Sequence, residues 1–240
     1  MSLLKHIPNT VTSMNLFAGT LSIVYSAQDD YKMAFYMIIL AAVFDFFDGF
    51  LARILNATGE YGKILDSLAD IVSFGVAPGI MLFYTIQSSS IPSCAILQQL
   101  PPLSYAPLII PVFSALRLAK FHLDTRQTSA FIGLPTPANA LFWGSLLVML
   151  QQQNFILGNL PVLPAYLILL ALLSSLLLVS EIPMFSLKIK TLSFRKNQIL
   201  YIFALITLIL LVLLGWNAIA LIIFLYIIIN IIQVLTRLKK

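Results

Sequence analysis

Apolar runs about as long as a bilayer is thick recur along nearly the whole chain, separated by short stretches of Gly, Pro, Asn and charged positions. A helix that crosses the hydrocarbon core needs about 20 predominantly apolar residues. On that pattern helices are expected at Ile7–Ala27, Tyr31–Leu55, Gly62–Gln87, Pro102–Phe121, Pro135–Gln151, Leu160–Val179, Asn197–Leu214 and Ala218–Thr236. The fold class that follows is all-α, a polytopic membrane bundle of about eight transmembrane helices. The boundary after Leu214 rests on Gly215, Trp216 and Asn217, which have the character of a tight turn between two Leu/Ile-rich segments.

Composition sharpens the pattern. Of 240 residues, 60% are hydrophobic and 10% charged, and the mean hydropathy is +0.98, which leaves no stretch for a separate soluble domain. Pro8, Asn9 and Asn15 do not suit a cleavable leader, so the first segment reads as a retained helix. The single Cys94 offers neither an intrachain disulfide nor a metal-ligand spacing and reads as a packing residue.

The formal charge of +5 comes from cations scattered between apolar runs, without the interleaved aromatic stripe of a nucleic-acid binder. Eight spans place Lys5, Arg53, Lys63, Arg117, Lys120, Arg126, Lys188, Lys190, Arg195, Lys196, Arg237, Lys239 and Lys240 on one side and Lys32 on the other. The positive-inside bias then puts both termini in the cytoplasm and the neutral loops Ser88–Pro101 and Gln152–Asn159 outside. No internal repeat of the transporter kind is visible.

Four carboxylates break the apolar pattern. Asp45 and Asp48 fall in the second expected helix, Asp66 and Asp70 in the third, although each costs about 2.5–3.5 kcal/mol on insertion scales. Spacings of three and four residues put each pair on one face of its helix. The short Asn56–Tyr61 loop makes the helices antiparallel neighbours and brings both pairs to the same depth. Oxygen ligands packed this closely, with no His or Cys among them, favour a hard cation such as Mg²⁺ or Mn²⁺. The other reading is a set of protonated or Arg-paired structural acids, with Arg53 the near partner.

Asp45-x-x-Asp48-Gly49-x-x-Ala52-Arg53, eight residues, then Gly62-x-x-x-Asp66-x-x-x-Asp70 resembles the complete signature of the CDP-alcohol phosphotransferases. The resemblance implies transfer of a substituted phosphoryl group from a CDP-linked alcohol to a second alcohol, releasing CMP. It implies Asp45, Asp48 and Asp66 as ligands of a divalent metal, with Asp70 as general base and shared ligand. It gives Arg53, Gly49, Ala52 and Gly62 to the diphosphate and nucleotide. Pro8-Asn9-Thr10-Val11-Thr12 is similar to the family's cytidine-side stretch, which makes Asn9 and Thr12 candidates either for the nucleotide or for helix capping. Residues 1–155 would be the catalytic core and 156–240 further helices of the same domain.

The run Leu65-Asp66-Ser67-Leu68-Ala69-Asp70-Ile71-Val72-Ser73-Phe74-Gly75-Val76-Ala77-Pro78 is similar to the phosphatidylserine synthase branch, as are Ile7–Leu16, Arg117–Phe121 and Phe131–Pro135. The substrates implied are CDP-diacylglycerol and L-serine, in an enzyme working as a homodimer among membrane lipids of the cell membrane, its site facing the cytoplasm. Arg117, Lys120, Asn15 and Ser73 are candidates for serine, with positive-inside flanking the other reading of the two cations. The branch usually carries Arg at the Lys120 position and Asn at the His122 position. Glycerol 3-phosphate or inositol as acceptor, or an ion-coupled transporter, are the competing expectations.

Overall fold

The structure is a computed structural model and describes residues 6–57, 59–88, 101–123, 131–151, 163–184 and 198–238. Lys5, Cys94, Arg126, Lys188, Lys190, Arg195, Lys196, Lys239, Lys240 and residues 89–100 and 152–159 of the expected external loops lie outside the described residues.

Among the described residues, helices occupy each of the eight expected places. Helix α1 is Ile7–Ala27, with Pro8 in its first turn, where no N–H is needed. Its buried face reads Pro8, Thr12, Asn15, Ala18, Gly19, Ser22 and Ser26, a stripe of small and polar residues at helical spacing. Small residues let membrane helices approach closely, and α1 lies against both α2 (Tyr31–Ile54) and the helical run Glu60–Ser88. Asp30 caps α2 by accepting a bond from the Met33 amide at 3.0 Å.

The run Glu60–Ser88 comprises α3 (Glu60–Asp70), a π-helical turn (Ile71–Val76) and α4 (Ala77–Ser88). The π turn begins one residue after Asp70. It is held by two close approaches: a Cβ on Gly75 would lie 3.0 Å from Ser114 Cβ, and one on Gly79 2.9 Å from Pro111 Cδ.

The expected Pro102–Phe121 helix is broken. A turn at Pro101–Ser104 and a 3-10 turn at Ala106–Leu108 precede α5 (Ile109–Leu123), because prolines at 101, 102 and 107 remove amides that a continuous helix would use. Then follow α6 (Thr136–Gln151), α7 (Leu163–Val179), α8 (Gln198–Leu214) and α9 (Ala218–Leu238). Among the described residues, the one departure from all-α structure is a two-residue antiparallel ladder, Phe131↔Met184 and Ile132↔Pro183, which ties the segment before α6 to the segment after α7.

Leu200–Thr236 is strongly apolar, yet it is not one long span. The rings of Phe203 and Tyr226 lie 6.1 Å apart, whereas one straight helix would separate these positions by roughly 35 Å. The chain reverses at Gly215, whose φ is +58°. Ser145 on α6 secures the turn, donating to the Trp216 carbonyl at 3.1 Å and accepting from the Ala220 amide at 3.1 Å.

The apolar core is centred on Phe35, Ile38, Phe74, Met81, Leu82, Trp143 and Leu147, and Trp143 Nε1 donates to Ser174 Oγ at 3.1 Å. Arg53, Lys63, Arg117 and Lys120 gather at one end of the bundle, and Lys32 stands at the other beside Gln151 and Trp216.

Candidate functional site

The loop after α2 sends the chain back as α3, and the two helices meet through their carboxylate side chains more than through their backbones. Each rests on α1, which fills the angle between them and forms the floor of a cleft of about 170 Å³. Pro8, Asn9 and Thr12 line the floor; Asp48, Gly49, Ala52 and Arg53 line one wall; Gly62, Lys63 and Asp66 line the other. The expected neighbours are therefore held together through α1 as well as through their own side chains. All six residues assigned to nucleotide and diphosphate (Asn9, Thr12, Gly49, Ala52, Arg53 and Gly62) border this one cavity.

Glycine matters here in two different ways. A Cβ on Gly62 would meet Asn9 Oδ1 at 3.3 Å, so α3 sits close over α1. A Cβ on Gly49 would meet nothing within 4 Å, so this glycine keeps open space open.

At the inner end of the cleft, Asp45, Asp48 and Asp66 each present a carboxylate oxygen within 4.8 Å of the other two. Asp48 Oδ2 and Asp66 Oδ1 are buried without a hydrogen-bond partner, and among the described residues no cation forms a salt bridge with the three acids. Unpaired carboxylate oxygens at this separation repel one another in a medium that screens poorly. Three hard oxygen donors with unused lone pairs fit a divalent cation such as Mg²⁺ or Mn²⁺. The hydroxyl of Thr12, which donates to the Pro8 carbonyl at 3.1 Å, lies beside Asp48.

Asp70 stands outside this trio, one turn further along α3 and almost fully buried. Its Oδ1 accepts a bond from Asn15 Nδ2 at 3.4 Å. Ser73 is also buried, but its hydroxyl is committed to the Asn15 carbonyl at 3.0 Å. It thereby packs the π turn onto α1.

Arg117, 7% exposed, donates to Thr136 Oγ1 at 3.1 Å and lies over the Phe121 ring at 5.7 Å. Asp70 is near enough to act on its charge. Lys120 turns the other way, donating to the Val179 carbonyl and pairing with Glu181, both at 3.3 Å, so it closes the end of α7. His122 Nδ1 meets the Leu118 carbonyl at 3.1 Å and Nε2 meets Ser67 Oγ at 3.4 Å, joining α5 to α3. Asn139, unremarked in the sequence, is completely buried with both amide atoms unbonded; its signal was a lone carboxamide inside an apolar helix.

The fold and this site define a helical membrane protein with an intramembrane carboxylate cluster at the end of a polar cleft. The family model for CDP-alcohol phosphatidyltransferases matches residues 5–179, and the chain belongs to that family of phosphotransferases. The match runs through α7, beyond the boundary expected at residue 155, and leaves α8 and α9 outside it.

Several curated relatives are named CDP-diacylglycerol–serine O-phosphatidyltransferase. The Helicobacter pylori (strain J99) protein is 31% identical over 154 residues, 63% of this chain and 61% of its own length. The Bacillus subtilis (strain 168) protein is 36% identical over 148 residues, 62% of this chain and 76% of its own. The Methanocaldococcus jannaschii protein is 33% identical over 178 residues, 73% of this chain and 72% of its own. The match thus spans under two thirds of the Helicobacter relative's length.

Proposed function

We propose that the chain transfers the phosphatidyl group of CDP-diacylglycerol to the hydroxyl of L-serine, forming phosphatidylserine and releasing CMP. The observation that carries this reading is that the signature residues Asp48, Gly49, Ala52, Arg53, Gly62 and Asp66 line one cleft, with Asp45 completing a carboxylate trio and Asp70 one turn further along α3. The names of the relatives support serine as the acceptor.

In this reading the donor's diphosphate lies along the cleft. Arg53 binds its oxygens, for which a guanidinium offers paired donors. Asn9 and Thr12 hold the cytidine side from the floor, and Gly49, Ala52 and Gly62 leave the nucleotide room. Asp45, Asp48 and Asp66 would hold one or two Mg²⁺ or Mn²⁺ ions, with Asp70 at the margin of that set. Such ions supply charge neutralisation at the attacked phosphate and at the departing CMP.

Asp70, oriented by Asn15, takes the proton of the acceptor hydroxyl. The hydroxyl oxygen forms a new bond to the phosphatidyl phosphorus, the bond from that phosphorus to CMP breaks, and CMP leaves with the electron pair. Arg117 and Asn15 lie on the acceptor side of Asp70 and are assigned to serine; Lys120 and Ser73 support that wall through their own bonds. The cation-rich end carrying the site faces the cytoplasm of the cell membrane by the positive-inside bias, and the family resemblance supports a homodimer.

The test is CMP release by purified protein given CDP-diacylglycerol and labelled L-serine, with and without Mg²⁺ or Mn²⁺. Serine-dependent release that disappears with EDTA and returns with the divalent ion is expected. Release with glycerol 3-phosphate or inositol but not serine replaces the acceptor; no release with any alcohol overturns the reaction.

A further inference from the structure

Beyond the carboxylate trio, buried polar atoms on α1, α5 and α6 also lack hydrogen-bond partners. Asn139 on α6 is 0% exposed, and neither its Oδ1 nor its Nδ2 has a hydrogen-bond partner. One turn earlier on the same helix, Thr136 takes the Nη1 bond of Arg117, while Arg117 Nε remains unbonded. Ser114 Oγ, one turn before Arg117 on α5, is buried and unbonded as well. On α1 the Oδ1 of Asn15 is in the same condition, although its Nδ2 reaches Asp70.

Groups of this kind are costly inside a bilayer, where no bulk water can satisfy them. Donors and acceptors are both present: Arg117 Nε and Asn139 Nδ2 can only donate, while Asn139 Oδ1 and Asn15 Oδ1 can only accept. A zwitterionic α-amino acid offers the complement, a carboxylate that accepts and an ammonium that donates. An uncharged polyol can accept hydrogen bonds from a guanidinium but brings no countercharge to it. A phosphorylated acceptor calls for more than one cation, and Lys120, the other cation of α5, is committed to Val179 and Glu181.

We propose that Asn139 and Arg117 form an amino-acid chamber beside Asp70, with Arg117 Nε and Asn139 Nδ2 on the α-carboxylate and Asn139 Oδ1 on the ammonium. The inference rests on the acceptor reading above and adds the residue that selects for it. Asn139 acts on binding and orientation of the acceptor; the proton transfer stays with Asp70.

The experiment is equilibrium binding of labelled L-serine to the full chain in lipid nanodiscs without donor, beside CMP-release kinetics. Asn139→Leu is expected to weaken serine binding and raise the serine KM by about tenfold or more, the loss of one or two hydrogen bonds, while the KM for CDP-diacylglycerol stays within about twofold. Asn139→Gln, which keeps the carboxamide, recovers part of the loss. In the wild type, L-alanine competes with L-serine and ethanolamine, which lacks the carboxylate, does not.

A folded Asn139→Leu that binds serine as the wild type does overturns the proposal. So does ethanolamine competing as well as alanine, a readout that needs no variant to fold. Serine binding that depends on Asn139 without any CMP release supports the chamber and sinks the transfer reaction instead. CMP release with another alcohol and no serine binding removes the chamber and leaves the family chemistry standing.

Discussion

The hydroxyl of Ser73 donates to the main-chain carbonyl of Asn15 across 3.0 Å, and Asn15 in turn reaches Asp70 at 3.4 Å. Two helices that share no sequence neighbourhood are thus registered at the one acid assigned to proton transfer. Asn15→Leu removes the bond to Asp70 while keeping an apolar side chain of similar size. Turnover should fall about tenfold or more, the loss expected when a base loses its orienting partner, with the donor KM little changed. CMP-release kinetics at varied donor concentration read both quantities.

The separation of Asp70 from the other three acids predicts a split in phenotype. Asp70→Asn should cost at least about 100-fold in turnover, the usual scale for removing a general base, and leave donor binding measurable. Asp48→Asn lies within the trio and should weaken divalent-dependent donor binding together with turnover. Binding of a CDP-linked analogue with and without Mn²⁺ distinguishes them; equal loss of binding in both variants moves Asp70 into the ligand set.

Gly49 and Gly19 predict opposite outcomes for the same kind of substitution. Gly49→Val projects into the open cleft, so the melting temperature should hold while the donor KM rises by about tenfold or more, as a methyl-sized clash with a bound nucleotide requires. Gly19→Val instead collides with the π turn, where a Cβ would stand 2.6 Å from Ser73 Cα. That variant should lose about 1–3 kcal/mol of stability, seen as earlier thermal unfolding in detergent.

The turn at Gly215 gives a test of the last two helices. Ser145→Ala deletes the hydroxyl that bonds Trp216 and Ala220 and should cost about 1 kcal/mol without changing either substrate's KM. A shift in serine or donor KM would tie α8 and α9 to the site.

The helices were legible because a membrane imposes its thickness on the apolar runs, and the acids because each breaks that run at a spacing that fixes its face. The split at Tyr105 escaped the hydrophobic pattern, which gave one helix over Pro102–Phe121, because the pattern counts apolar residues and not the amides missing at prolines 101, 102 and 107. Other features depend on contacts distant in the chain. Nothing in Pro8–Thr12 says that α1 will fill the angle between α2 and α3 and turn two acidic helices into a cleft. The π turn has no apolar-pattern signal either; Gly75 within it and Gly79 just beyond it lie close against α5. The pairing of Lys120 with Glu181 was not legible, because the two lie across a connection that spacing does not reveal.

The helices that carry the acids also carry large apolar side chains on their outer surfaces: Phe46, Phe47 and Phe50 on α2, Ile64 and Leu68 on α3. A donor seated with its diphosphate in the cleft can leave both acyl chains among the surrounding lipids and arrive sideways within its own leaflet. Its supply is then two-dimensional. Diluting CDP-diacylglycerol with inert lipid at constant bulk amount should slow the reaction, while adding more vesicles of unchanged composition should leave the rate per enzyme as it was.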